Sequence, residues 1–207
     1  MSCFGPRETN QFLLLGPENA GKTTLLYKLK LADNWKKLEI IRDMKAVKEK
    51  ENFGFHYEEF RGSKMTYGIW DLPGKKAARP LWPIFYRYIQ IDAVLLCMDK
   101  MLLFDQSAAA LETVEEMKQL LAFMVHEPEL RPAAFAILLN EKDNGPLLED
   151  LTDNDVREIL GIPELQLVSE DRIKVFTLNT ADVAENSGVW PKVMDFTRRQ
   201  IMSAAKD

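Results

Sequence analysis

The chain has 207 residues, 46% of them hydrophobic and 29% charged, enough to close one substantial core and too apolar for a disordered chain. A net charge of −5 at pH 7 withholds the basic face that displaces counterions from nucleic acid, so no nucleic-acid partner is expected. The only cysteines, Cys3 and Cys97, offer neither a disulfide framework nor metal-ligand spacing.

The opening MSCFGPRETN has no basic-then-apolar layout, and no apolar run approaches a membrane span, so a cytoplasmic protein is expected. Ser2 stands where N-myristoylation needs glycine and Gly5 is out of place, so no myristoyl anchor is expected and any membrane association would be indirect. Cys3 reads as a free terminal thiol. Residues 1–10 form a short extension, and residues 11–207 form one domain.

That domain begins with QFLLL, a strand ending at Leu15, followed by GPENAGKT and then Leu25, Leu26, Leu29 and Leu31 at helical spacing. Phe53, Phe55 and Tyr57 alternate as a strand; Arg61-Gly62-Ser63 is a turn, and Lys64 to Asp71 returns as the second arm of a hairpin. Three short apolar runs follow, AVLLCM from Ala93, AAFAILL from Ala133 and IKVFTL from Ile173, of the kind found in buried parallel strands. Helices are expected over Ala108 to Val125, Asp153 to Leu160 with Thr152 as N-cap, and Val189 to Ala204. The order predicts one doubly wound α/β domain: a mostly parallel six-stranded sheet with one antiparallel hairpin strand, helices on both faces, and ligand loops at the carboxyl ends of the strands.

Gly16-x-x-x-x-Gly21-Lys22-Thr23 sits between a strand and a helix, where backbone N–H groups and the helix dipole converge on an anion. The loop residues Glu18, Asn19, Ala20 and Thr24 belong to the same cradle. Lys22 would neutralise β- and γ-phosphates, and the Thr23 hydroxyl would ligate Mg²⁺. Asp71, at the end of a hairpin strand, supplies a carboxylate for the metal, with the Gly74 amide able to approach the γ-phosphate closely. The run Asn140-Glu141-Lys142-Asp143 follows another strand, and a carboxylate such as Asp143 can accept both N1–H and the exocyclic amine of guanine. The Ala181 N–H, after the last strand, could donate to a guanine carbonyl. His56 and His126, the only histidines, read as surface or strand-face residues.

Together these residues resemble the small GTPases of the Arf and Arf-like family, most closely in Gly21-Lys22-Thr23-Thr24-Leu25-Leu26-Tyr27-Lys28-Leu29-Lys30-Leu31, Gly54-Phe55, Trp70-Asp71 and Arg79-Pro80-Leu81-Trp82. The resemblance covers about Gln11 to Ile201. It implies GTP or GDP with Mg²⁺, a switch function, and effector and regulatory proteins meeting an aromatic patch of Phe55, Trp70 and Phe85.

Departures stand out in four regions: the first switch, the second switch, the base motif and the N-terminus. Asn52 occupies the position of the family's first-switch threonine, and the segment around residues 34–53 is longer and richer in lysine than the usual first switch. Lys75 replaces the glutamine that orients the attacking water; an ammonium has no acceptor, which predicts very slow hydrolysis. Pro73 replaces a glycine in the second switch, and Glu141 replaces the base-motif lysine whose stem lies along the base. The amphipathic N-terminal helix of Arf proteins has no counterpart in residues 1–10. Two readings follow: a divergent switch with slow GTP hydrolysis, or an interaction protein in the same fold whose nucleotide is structural or absent. Other phosphate-loop chemistry, such as a kinase, would need a second substrate site that the sequence does not display.

Overall fold

The computed structural model describes residues 9–31, 54–142, 151–165 and 170–205. Within them a six-stranded sheet runs in the order β2, β3, β1, β4, β5, β6. Its strands are β1 (Asn10–Leu15), β2 (His56–Arg61), β3 (Thr66–Asp71), β4 (Ala93–Asp99), β5 (Ala134–Asn140) and β6 (Ile173–Leu178). Only β2 and β3 pair antiparallel; every other neighbouring pair is parallel. The helices are α1 (Lys22–Leu31), α2 (Trp82–Tyr88), α3 (Ala108–His126), α4 (Asp153–Ile159) and α5 (Trp190–Ala204).

Side chains alternate across a strand, so apolar runs buried on both faces feed two separate cores. Leu13, Leu15, Val94, Leu96, Phe135 and Ile137 face a core closed by α2, α3 and α4 through Trp82, Tyr86, Met117, Leu121 and Val156. Phe12, Leu14, Leu95, Cys97, Ala136 and Leu138 face the other, closed by α1 and α5 through Leu25, Leu26, Trp190 and Phe196. Thr152 caps α4 as expected: its hydroxyl accepts from the Asp155 N–H, while Asp155 reaches back to the Thr152 N–H, closing a reciprocal cap.

The hairpin differs from its sequence pattern. Phe55 lies outside the ladder, and β2 buries Phe60 rather than the Phe55 and Tyr57 face. Phe60 pairs opposite Tyr67 and stacks on it at 5.1 Å, and Tyr67 stacks on Phe12 at 5.4 Å, so this face of the hairpin belongs to the α1/α5 core. A lone Phe between charged neighbours carries no alternation, so the sequence does not mark this strand's buried face. The 3₁₀ turn Lys76–Leu81 and α2 are also absent from the periodicity; α2 reads WPIFYRY, too short and too uniformly apolar to show a helical stripe.

Candidate functional site

The carboxyl ends of β1, β3, β4, β5 and β6 come level, with Leu14 opposite Asp71, Leu15 opposite Leu96, and Asp99 opposite Asn140, which in turn faces Leu178. Ligand loops of an open α/β sheet belong at this edge. From Leu15 the chain enters Gly16 at φ 142°, where a Cβ would come 1.9 Å from the Cys97 carbonyl oxygen. No residue but glycine fits this approach to β4. Asn19 and Gly21 also take positive φ, 62° and 93°, and wind the loop into α1. Glu18 and Asn19 are exposed, whereas the Ala20 carbonyl is sewn down, accepting from the Cys97 thiol at 3.0 Å and from Asn140 Nδ2 at 3.2 Å. Burial pushes that thiol up to about 12. Because α1 starts at Lys22, the N–H groups of Lys22, Thr23 and Thr24 lie in its first turn, which has no intrahelical acceptors.

Lys22 is only 6% exposed, and its Nζ donates to the carbonyls of Gly16 at 3.0 Å and Pro17 at 2.8 Å. Burial pulls the ammonium below its ordinary value, with nearby Asp71 opposing the shift. Gly74 closes over the same spot: a Cβ there would meet the Gly16 oxygen at 2.5 Å and Lys22 Nζ at 2.6 Å. Its carbonyl accepts from Arg79 Nε at 3.1 Å, and the Pro73 carbonyl accepts from Trp82 Nε1 at 3.1 Å. Arg79 pairs in turn with Glu116 on α3, which also holds Lys76. Lys75 points no described bond into the site and is exposed.

Thr23 Oγ1 donates to Asp71 Oδ2 at 2.6 Å, and His56 Nδ1 stands 3.6 Å from the same oxygen. Asp71 Oδ1 is buried without a hydrogen-bond partner. A buried carboxylate oxygen with no donor, beside a hydroxyl and a phosphate cradle, fits Mg²⁺. Among the described residues no group of three His, Cys, Asp or Glu side chains could hold a metal by itself. That suits an ion that keeps waters and takes its remaining ligands from phosphate.

On the other side of the loop, Asn140 acts as a staple. Its Nδ2 reaches Ala20, and its Oδ1 accepts from the Thr180 N–H at 3.0 Å, joining the phosphate loop to the segments after β5 and β6. The Glu141 N–H donates to the Leu178 carbonyl at 2.9 Å. The Ala181 N–H donates to Asn179 Oδ1 at 2.9 Å, an acceptor that a guanine carbonyl would have to displace. Asp143 and Asn52 lie outside the described residues.

The aromatic residues of the hairpin's outer face do meet. Phe55 packs on Trp70 at 5.4 Å and on Phe85 at 5.3 Å, and Tyr57 packs on Trp70 at 4.4 Å. Phe55 is 50% exposed. Trp70 and Phe85 are half-buried and packed against the α2/α3 core, and Trp70 Nε1 donates to Gln11 Oε1 at 2.8 Å.

The family model described as the ADP-ribosylation factor family, Arf, matches residues 2–190. The chain belongs to this family. A relative in Caenorhabditis elegans, ADP-ribosylation factor-like protein 1, is 31% identical over 163 residues, 79% of this chain and 76% of that protein. The solved structure of the Arl6 BBS3 small GTPase from Trypanosoma brucei with a bound nucleotide analogue, GppNp, superposes with a TM-score of 0.62 at 19% identity. The match covers 96% of this chain and 99% of that one, and shows the shared fold. This Arf-family chain therefore has the small GTPase architecture, with helices on both faces of the sheet. No described helix is long and apolar enough to cross a membrane. Two site neighbours carried no signal of their own in the sequence: Asn179, whose side chain accepts from the Ala181 N–H two residues on, and Lys100, whose partner Glu141 is 41 residues away.

Proposed function

We propose that this Arf-family protein is a guanine-nucleotide switch that holds GTP or GDP with Mg²⁺, hydrolyses GTP very slowly, and passes its state to effector and regulatory proteins. The observation that carries the reading is the convergence of Lys22, Gly74 and the Thr23–Asp71 pair on one point of the phosphate loop, with a buried Asp71 oxygen lacking a donor. Lys22 would exchange the Gly16 and Pro17 carbonyls for phosphate oxygens, a stronger charge-assisted bond for a desolvated ammonium. Thr23 and Asp71 would hold Mg²⁺, which would supply positive charge to neutralise the phosphate oxygens. Gly74 would offer its N–H to the γ-phosphate, since nothing but hydrogen stands on its Cα to keep the backbone away.

Lys75 supports slow turnover: it has donors only and cannot accept a hydrogen bond from an attacking water. Asn140 and Asp143 support guanine over adenine, with Glu141 in place of the usual lysine. Partner proteins would meet Phe55, Trp70 and Phe85, where an exposed ring sits on a supported aromatic base. The decisive experiment denatures the purified protein and identifies the released nucleotide and its stoichiometry. Bound GTP or GDP near one per chain is expected. A protein that carries none and also fails titration with Mg²⁺-GTP would instead be an interaction protein in the Arf fold.

A further inference from the structure

Three charged side chains are buried among the described residues: Lys22, Asp71 and Lys100. The first two serve the phosphate and metal end of the site. Lys100 is 4% exposed and lies elsewhere, on the first residue after β4. Its Nζ donates to Glu141 Oε1 at 2.8 Å. Strand register brings them together, because Asp99 pairs opposite Asn140 and the chain leaves both strands side by side. A second link runs the opposite way: Lys142 Nζ pairs with Asp99 Oδ2. The last residue of β4 and the one after it thus hold the two residues after β5 through two crossed ion pairs of opposite polarity. Asn140, at the root of the same loop, is already tied to Ala20 and Thr180.

We propose that Lys100 is a positioning residue for the purine base, its buried ammonium holding Glu141 and thereby the start of the base-recognition loop at the carboxyl end of β5. The inference rests on the guanine-nucleotide reading above and deepens it. A buried ammonium is costly unless a carboxylate meets it, so the Lys100 Nζ draws the Glu141 side chain, itself 53% exposed, to one position at the start of the loop. The cation at this corner therefore comes from β4, and the acid from the loop. Restoring a lysine at position 141 alone would set two ammoniums against each other, whereas exchanging both charges would keep the pair.

The test uses the full chain with Mg²⁺ and competition binding of GDP and IDP, which lacks the exocyclic amine that an aspartate in the loop would read. Wild type, Glu141→Lys, Lys100→Glu, the exchanged double variant Lys100→Glu/Glu141→Lys, and the milder Glu141→Gln and Lys100→Met are compared. Each single charge reversal is expected to weaken GDP at least about tenfold and to shrink the GDP-over-IDP preference, with the exchanged pair recovering both to within about threefold. Should a reversal not fold, Glu141→Gln and Lys100→Met carry the same comparison without repulsion. A pair that is merely structural would lower the melting temperature of the single variants and leave the GDP-to-IDP ratio unmoved, and that result overturns the proposal. So does an exchanged pair that recovers neither GDP affinity nor the ratio. Wild type that binds no guanine nucleotide removes the underlying reading itself, and is distinguished by its own arm of the experiment.

Discussion

Lys22 is a cation held where charge is expensive, and its two carbonyl partners are weaker than the phosphates it is placed to meet. Lys22→Ala and Thr23→Asn are each expected to abolish tight nucleotide binding, the first by removing the cation and the second by replacing the hydroxyl that approaches Asp71 at 2.6 Å. Unchanged GTP affinity in both variants would remove these residues from the site. The lowered Lys22 value also fixes a pH dependence. Folded protein without nucleotide loses this proton before the unfolded chain does, so its stability rises with pH between the lowered value and the ordinary 10.5. Phosphates favour the ammonium, so nucleotide affinity runs the other way and falls as pH climbs through that lowered value. Titration calorimetry with GDP carried from neutral pH up to the ordinary 10.5 reads this directly, and an affinity unchanged across that whole range contradicts a Lys22–phosphate contact.

The β2/β3 hairpin carries two aromatic faces with different duties. Phe60, Tyr67 and Phe12 stack inside the sheet's core, while Phe55, Tyr57, Trp70 and Phe85 gather on the outside. The exposed cluster separates into a tip and a base. Phe55→Ala is expected to cost about 2 kcal/mol of partner affinity with the melting temperature nearly unchanged, because half of that ring already faces solvent. Trp70→Ala removes a ring packed against the core and its bond to Gln11, so it is expected to cost about 3 kcal/mol of stability as well as affinity. Thermal melts beside titration of a pulled-down partner separate the two effects; equal destabilisation by both substitutions would make Phe55 a core residue.

For the molecule as a whole, the coupling between nucleotide and partner is the quantity that matters. Intrinsic hydrolysis is expected at or below about 10⁻⁴ s⁻¹, the scale of unassisted small GTPases, and Lys75→Gln should accelerate it by restoring an acceptor for water. A single-turnover phosphate-release assay showing fast wild-type hydrolysis would contradict the role given to Lys75. In the second switch, Pro73 fixes φ, its carbonyl is held by Trp82, and Gly74 is held by Arg79, itself anchored to Glu116 on α3. A loop with one fixed φ and two carbonyls held by hydrogen bonds resists nucleotide-driven movement. Partner affinity is therefore expected to differ less than about tenfold, under about 1.4 kcal/mol of coupling, between the GDP- and GTP-loaded forms. A hundredfold preference for GTP, measured by titrating a partner against both, would mean that the tethers yield.

Much of this was written in local pattern. Apolar runs of strand length, a glycine-rich loop between strand and helix, and Thr152 three residues ahead of Asp155 each constrain only a few neighbouring φ and ψ angles and one face of an element, so the sequence by itself determined the sheet, the phosphate loop and the α4 cap. Tertiary structure decided which distant groups touch: the sequence put Thr23 and Asp71 on one metal but not in direct contact, and offered no link at all between Lys100 and Glu141. Lys100 and Glu141 are 41 residues apart, and Thr23 and Asp71 are 48 apart. Strand register aligns the first pair, and the seating of α1 beside β3 brings the second together. The same holds for Phe60, whose burial follows from the stack it completes with Tyr67 and Phe12. Periodicity reports which way a side chain points; the partner waiting there is set by the packing of the whole chain.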